Sequence, residues 1–87
     1  MEFDWNDGNK TKCTKHGVTL NEIETLLRSN PLVSRDHKHS EAEKRFIAVG
    51  PNRSGRPLFV VFCWRDGKVR PISARYMHKR EAENYET

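Results

Sequence analysis

The sequence predicts an α+β fold: a small antiparallel β-sheet with helices before it and one helix after it. Three observations carry this. Thr19-Leu20-Asn21-Glu22 is a capping-box pattern leading into apolar residues at helical spacing. Leu58 to Trp64 is an almost unbroken apolar run of strand length. Asp66-Gly67 follows it directly and is the strongest hairpin signal in the chain. With 87 residues and no internal repeat, linker or low-complexity segment, residues 1–87 form one domain.

The elements follow in order. Phe3-Asp4-Trp5 alternates as a short strand, and Asp7 to Lys15 forms a polar helix stopped by Gly17. In the second helix the Thr19 hydroxyl accepts from the Glu22 amide, and Glu22 reaches back. Leu20, Ile23, Leu26 and Leu27 share its apolar face, and Pro31 ends it. Leu32-Val33-Ser34 is a strand, Asp36 to Glu43 a polar loop, Arg45 to Val49 a strand and Pro51 to Gly55 a turn cluster. Leu58 to Trp64 suits a central strand covered on both faces. Val69 to Ala74 returns from the hairpin, and Pro71, lacking an N–H, places it at an edge or leaves it paired on one side there. Met77 to Tyr85 is the last helix. If Asp66 and Gly67 are the turn residues, Arg65 faces Lys68 and Cys63 faces Arg70. Arg65, Lys68 and Arg70 then gather on one sheet face, with Cys63, Val61 and Phe59 further along. Such a cluster either seats a phosphate or splays into water.

Composition narrows the function. Two Trp, four Phe and two Tyr support a compact core, although charged residues make up 32% of the chain. The net charge of +4 is unevenly spread: Lys44 to Arg80 holds ten bases against the single acid Asp66, while the flanks are acidic. A block of +9 attracts polyanions, phosphodiester backbones above all, with a merely solvated basic surface as the alternative. The longest apolar run is too short to span a bilayer. The acidic Met1-Glu2-Phe3-Asp4 is no signal peptide, and two cysteines make no disulfide framework, so the expected location is a reducing cytoplasm.

Several constellations bear on chemistry. Cys13-x-x-His16 and His37-x-His39 would together supply four zinc ligands, but their spacings are permissive rather than diagnostic. Asp4, Asp7 and Asp36 do not form a magnesium-holding carboxylate cluster, which disfavours a metal-dependent nuclease. In the last helix His78, Lys79 and Arg80 come first and Glu81, Glu83 and Glu86 after, an order opposed to the helix dipole and suited to an anion site. His39-Ser40-x-x-Glu43-x-Arg45 combines a histidine, a carboxylate and an arginine. With further arginines these suffice to cleave RNA without metal: a base takes the 2′-hydroxyl proton, cations stabilise the phosphorane and an acid protonates the leaving oxygen.

At these residues the chain resembles the BrnT toxins of bacterial type II toxin–antitoxin pairs. The resemblance runs through Phe3-Asp4-Trp5, Lys15-His16-Gly17-Val18, His39-Ser40-x-x-Glu43-x-Arg45-Phe46, Gly50 and Gly55-Arg56. It continues through the strand ending in Arg65, Arg70-Pro71-Ile72-Ser73-Ala74-Arg75, and Arg80-Glu81 with Tyr85-Glu86. The stretch from Trp5 to His16 is one residue shorter than the usual pattern, Lys12-Cys13 replaces Asn-aliphatic, and Met77 replaces a frequent Ala. The resemblance implies a RelE-like fold and a metal-independent endoribonuclease of the mRNA-interferase type, with no cofactor, that arrests translation. It also implies neutralisation by a BrnA-like antitoxin with a ribbon-helix-helix part, as a heterotetramer that reaches operator DNA only through the antitoxin, and no membrane partner. Under it Cys13 is a small buried hydrophobe.

The residue assignments combine both lines. Arg65 and Arg80 are the first choices for phosphate stabilisation, since a guanidinium fork matches two phosphate oxygens. His39 and Glu43 are the acid/base candidates, or else hold Arg45 within a loop-organising network. Arg45, Arg75, Lys79, Lys15, His16 and Arg70 are RNA-binding candidates, with Arg75 alternatively paired to Glu81. Trp5 is assigned to the core, and Trp64 is the better base-stacking candidate, with a core position as its safer reading. The competing functions are a nucleic-acid-binding module without chemistry and a domain whose basic face serves only an acidic antitoxin.

Overall fold

The structure, a computed structural model, describes residues 1–39 and 42–85; Ser40, Glu41 and Glu86, which belong to the loop and motifs above, lie outside them. The elements are α1 (Asp7–Thr14), α2 (Leu20–Arg28), β1 (Leu32–Arg35), a 3-10 turn (His37–His39), β2 (Phe46–Pro51), β3 (Pro57–Arg65), β4 (Lys68–Tyr76) and α3 (Lys79–Glu83). The strands form one antiparallel meander in the order β1-β2-β3-β4. This is the α+β arrangement expected, with two helices ahead of the sheet and one behind.

Local chemistry sets the helix starts. Both N-terminal helices open on reciprocal capping boxes, Thr19 with Glu22 as read from the sequence and Asn6 with Asn9 in α1. Asn9 does a second job. Its Nδ2 donates to the Asp4 and Pro71 carbonyls at 2.9 and 3.0 Å, fastening α1 to β4. In the hairpin Asp66 and Gly67 both have positive φ, 53° and 77°, the pair a type I′ turn demands. The register is the expected one, Arg65 opposite Lys68 and Cys63 opposite Arg70. A register shift at Val61/Phe62 admits Ile72 as an extra residue beside Pro71, so the strand with the missing N–H is an edge strand with a bulge.

Three expectations change. Phe3-Asp4-Trp5 contributes a single parallel bridge, Phe3 to Val69, rather than a strand. The last helix is five residues long, Lys79–Glu83, not nine. The central strand is not covered on both faces. Leu58, Val60 and Phe62 are buried with Ala48, Val69 and Ala74 beneath Cys13, Val18, Ile23, Leu26 and Leu27, whereas Phe59 and Val61 are only partly covered. The reason is supply: α1 packs on β4 and α2 on β2 from one side, and a five-residue α3 is too short to roof the other. Packing on the helical side is close, since a Cβ at Gly50 would lie 2.8 Å from Leu26 Cδ1. Cys13 is fully buried in this core, and burial pushes its thiol up to about 11.

Candidate active site

The sheet face without helices carries Phe59, Val61, Cys63 and Arg65 along β3, by strand alternation. The segment entering β2 lays Glu43 across its end. The Cys63 thiol donates to Glu43 Oε1 at 3.4 Å, and Arg65 Nη2 donates to Glu43 Oε2 at 3.4 Å. Burial first, and then the hydrogen bond to Glu43, pushes the Cys63 thiol up, so it stays a neutral donor. Arg65 and Glu43 are about half and one-third exposed, so the pair is readily exchanged for another anion.

Two cavities meet at this segment. One, of 370 Å³, is lined by Lys38, His39, Ala42, Glu43 and Arg45. The other, of 270 Å³, is lined by Glu43 and Arg45, by Arg65 and Arg70 of the sheet, and by Gly8 and Lys12 of α1. In the first, His39 Nδ1 lies 3.0 Å from Oδ2 of the buried Asp36, and among the described residues Nε2 has no hydrogen-bond partner. Asp36 is fixed in turn, its backbone N–H donating to the Arg45 carbonyl at 2.8 Å. A carboxylate on Nδ1 sets the imidazole tautomer and its orientation. The site therefore offers an oriented histidine, a carboxylate and several guanidinium groups around one cleft, the inventory for general acid–base work on a phosphodiester.

A family model described as ribonuclease toxin, BrnT, of type II toxin–antitoxin system matches residues 5–81. The chain belongs to this family. RNA is thus its substrate and an antitoxin its partner. No individually curated protein matches the chain.

In this BrnT chain the predicted residues divide into groups. His39, Glu43, Arg45, Arg65 and Arg70 are brought together at the two cavities. Lys79 and Arg80 are exposed on α3, beyond the opposite end of β4 from Arg65, and a nine-residue strand spans roughly 25–30 Å. Lys15 and His16 are exposed just after α1. Trp64 is half exposed but edges onto Phe62 on the helical face, opposite to Arg65, while Trp5 packs against the core with its indole donating to Glu24 at 2.8 Å. Among the described residues no three His, Cys, Asp or Glu gather as a metal site, and no helix is long and apolar enough to cross a membrane.

The basic hairpin is also less bare than its sequence reads. Arg65 holds Glu43, Lys68 holds Glu2 at 3.8 Å and Arg70 holds Asp4 at 3.2 Å. Two of these acids, Glu2 and Asp4, come from the N-terminal arm, which the Phe3–Val69 bridge lays beside β4, and Glu43 comes from the segment entering β2. Sequence reasoning gave no role here to Asp36, Cys63 or Lys12. The Asp36-x-x-His39 spacing was a usable signal for the first and the hairpin register placed the second, whereas nothing local marked Lys12.

Arg75 is committed within the fold. Its two terminal nitrogens donate to the two Glu81 oxygens at 2.7 and 2.9 Å, and its guanidinium lies 4.3 Å from the centre of the Phe59 ring. Of the two roles weighed for Arg75, this is the pair with Glu81. It also alters the expected conflict with the helix dipole. Because α3 is short, Glu81 falls in its first turn, where an acid is favourable. The Arg75 hydrogen bond, chiefly, holds the Glu81 carboxyl below its ordinary value of 4.5. A lowered folded-state value means stability present above the unfolded value and lost as pH falls through the folded one. Glu81→Gln is expected to flatten the loss of Tm between about pH 5 and pH 3 while changing little at neutral pH beyond the lost pair. Thermal melts across that range check it, and an unchanged acid slope would count against the pair's role.

Proposed function

We propose that this toxin cleaves RNA without a metal ion, by attack of the 2′-hydroxyl on the neighbouring phosphodiester in the cleft between the turn at His37–His39 and the end of β3. The 2′-oxygen–phosphorus bond forms as the phosphorus–5′-oxygen bond breaks, the 2′ proton passing to a base and another proton reaching the leaving oxygen. The products are a 2′,3′-cyclic phosphate and a 5′-hydroxyl. His39, through Nε2, and Glu43 are the acid/base pair. Arg65 and Arg45 stabilise the phosphorane, which carries more charge than the ground-state diester and so gains more from them. Arg70 adds charge along the same wall. Arg80, Lys79, Lys15 and His16 are contacts to flanking backbone.

The observation that supports this best is the adjacency of the Asp36-held His39 and the exchangeable Arg65–Glu43 pair across shared cavity walls. Incubating the purified chain with RNA in excess EDTA tests it. Cleavage yielding cyclic phosphate ends is expected; RNA left intact in EDTA but cut when magnesium is restored would overturn it.

The biological setting follows the family. Translation arrest in the cytoplasm results from cutting messages. A BrnA-like antitoxin with a ribbon-helix-helix part neutralises the toxin in a heterotetramer by covering the basic face, and operator DNA is reached only through that antitoxin. A complex leaving Arg65 and Arg80 open to solvent would rule out inhibition by occlusion.

A further inference from the structure

The cavity between the sheet end and α1 holds one cation that the chemistry above does not use. Gly8 and Lys12 are four residues apart, so they lie on the same helical face, and both line this cavity together with Arg45 and Arg70. Gly8 presents no side chain to it. The bonds from Asn9 Nδ2 to the Asp4 and Pro71 carbonyls pin α1 to β4, which fixes the height from which Lys12 projects. Arg65 and Arg70 each already hold a carboxylate of the chain. Lys12 is exposed, and no ion pair or hydrogen bond engages its ammonium group among the described residues. The cleft therefore has a surplus positive charge on its helical wall, at a place an anion can enter.

We propose that Lys12, with Arg70 in the same cavity, forms a second phosphate seat that holds the phosphodiester next to the one being cleaved, so that single-stranded RNA lies in the cleft between α1 and the strand entering β2. This rests on the ribonuclease reading. A compact ammonium on a flexible stem suits a flanking phosphate, which needs charge but no fixed geometry, whereas the reacting phosphate is met by planar guanidinium groups. Lys12 is a binding residue in this scheme and takes no part in proton transfer.

The test uses a single-stranded oligoribonucleotide methylated at every 2′-oxygen, which binds but cannot react, with affinity measured against KCl concentration. Lys12→Gln is expected to weaken binding roughly five-fold at moderate salt and to make the log–log salt slope shallower by about 0.7, the value for one phosphate contact on a single strand. Lys10→Gln removes the same charge from the same helix, but Lys10 does not line the cavity. It is expected to leave the slope unchanged, and because both sites are exposed the variants fold alike. With unmodified RNA, Lys12→Gln raises KM and leaves kcat within about two-fold. Equal slopes for Lys12→Gln and wild type, or equal losses in the two variants, would overturn the assignment while leaving the ribonuclease reading intact. Weaker antitoxin binding with unchanged RNA binding would overturn it as well. A wild-type chain that fails to cut RNA would instead bring down the reading on which it rests.

Discussion

Arg65→Ala is expected to lower kcat for RNA cleavage by about 10²–10³-fold with little change in Tm. The two halves of that expectation come from the same observation. The Arg65–Glu43 contact is long, at 3.4 Å, and open to water, and ion pairs of that kind contribute only about 0–1 kcal/mol to stability. Under the proposed mechanism the same guanidinium meets a phosphorane carrying an extra charge, in a cleft walled by protein, where a placed cation is worth several times more. Glu43→Gln keeps the shape of the carboxyl while removing its charge. If Glu43 transfers a proton, its loss and the loss of Arg65 act on one step, so the double variant falls little below the worse single one. Near-normal kcat in Arg65→Ala, with only KM raised, would show that Arg65 binds RNA but does not meet the reacting phosphate.

His39→Ala is expected to cost about 10²–10⁴-fold in kcat, the range for removing a positioned general acid or base. Asp36 makes this more than a statement about one residue. Because its carboxylate faces His39 Nδ1, Asp36→Asn offers an amide that can donate to that nitrogen and hold the wrong tautomer. It should therefore lose much of the activity that His39→Ala loses, and the two losses should not add. Added imidazole should restore part of the rate to His39→Ala and none to Asp36→Asn. The competing role, a network that only organises the loop, predicts a fall in Tm proportionate to the fall in activity and no rescue by imidazole. Melts and single-turnover rates on the same samples separate the two.

The exchangeable anions around the cleft explain how a strongly basic surface can fold without a partner. Arg65, Lys68 and Arg70 lie within one hairpin, and their mutual repulsion is relieved by Glu43, Glu2 and Asp4. Each of these pairs is at least partly open to solvent, so an incoming phosphate competes with a carboxylate that loses little by returning to water. Arg75 is different. A two-pronged bond to Glu81 and a seat over Phe59 give its guanidinium a structural occupation, tying the start of α3 to the sheet.

Much of the fold is written in short stretches of sequence, because its decisive signals are local. A threonine three residues before a glutamate sets a helix start, and an Asp-Gly step selects a type I′ turn. Once the turn is set, the period of two along a strand dictates that Arg65 meets Lys68 and Cys63 meets Arg70. The make-up of the candidate site was legible in kind for the same reason: a histidine, a carboxylate and an arginine occur together between His39 and Arg45. What the sequence could not settle was which faces are covered and which charges meet. A nearly all-apolar β3 reads as buried on both sides, yet the two helices pack on one, so Cys63 and Arg65 lie on the face without helices, Cys63 buried there and Arg65 about half exposed. Glu2 and Asp4 lie more than 60 residues from the cations they neutralise, Glu43 reaches Cys63 across 20, and Lys12 reaches the cleft only because Asn9 fastens α1 to β4. Local backbone preference is a property of neighbouring residues and survives in the one-dimensional pattern; charge pairing and cavity walls depend on distances between segments, which exist only once the sheet and helices have packed.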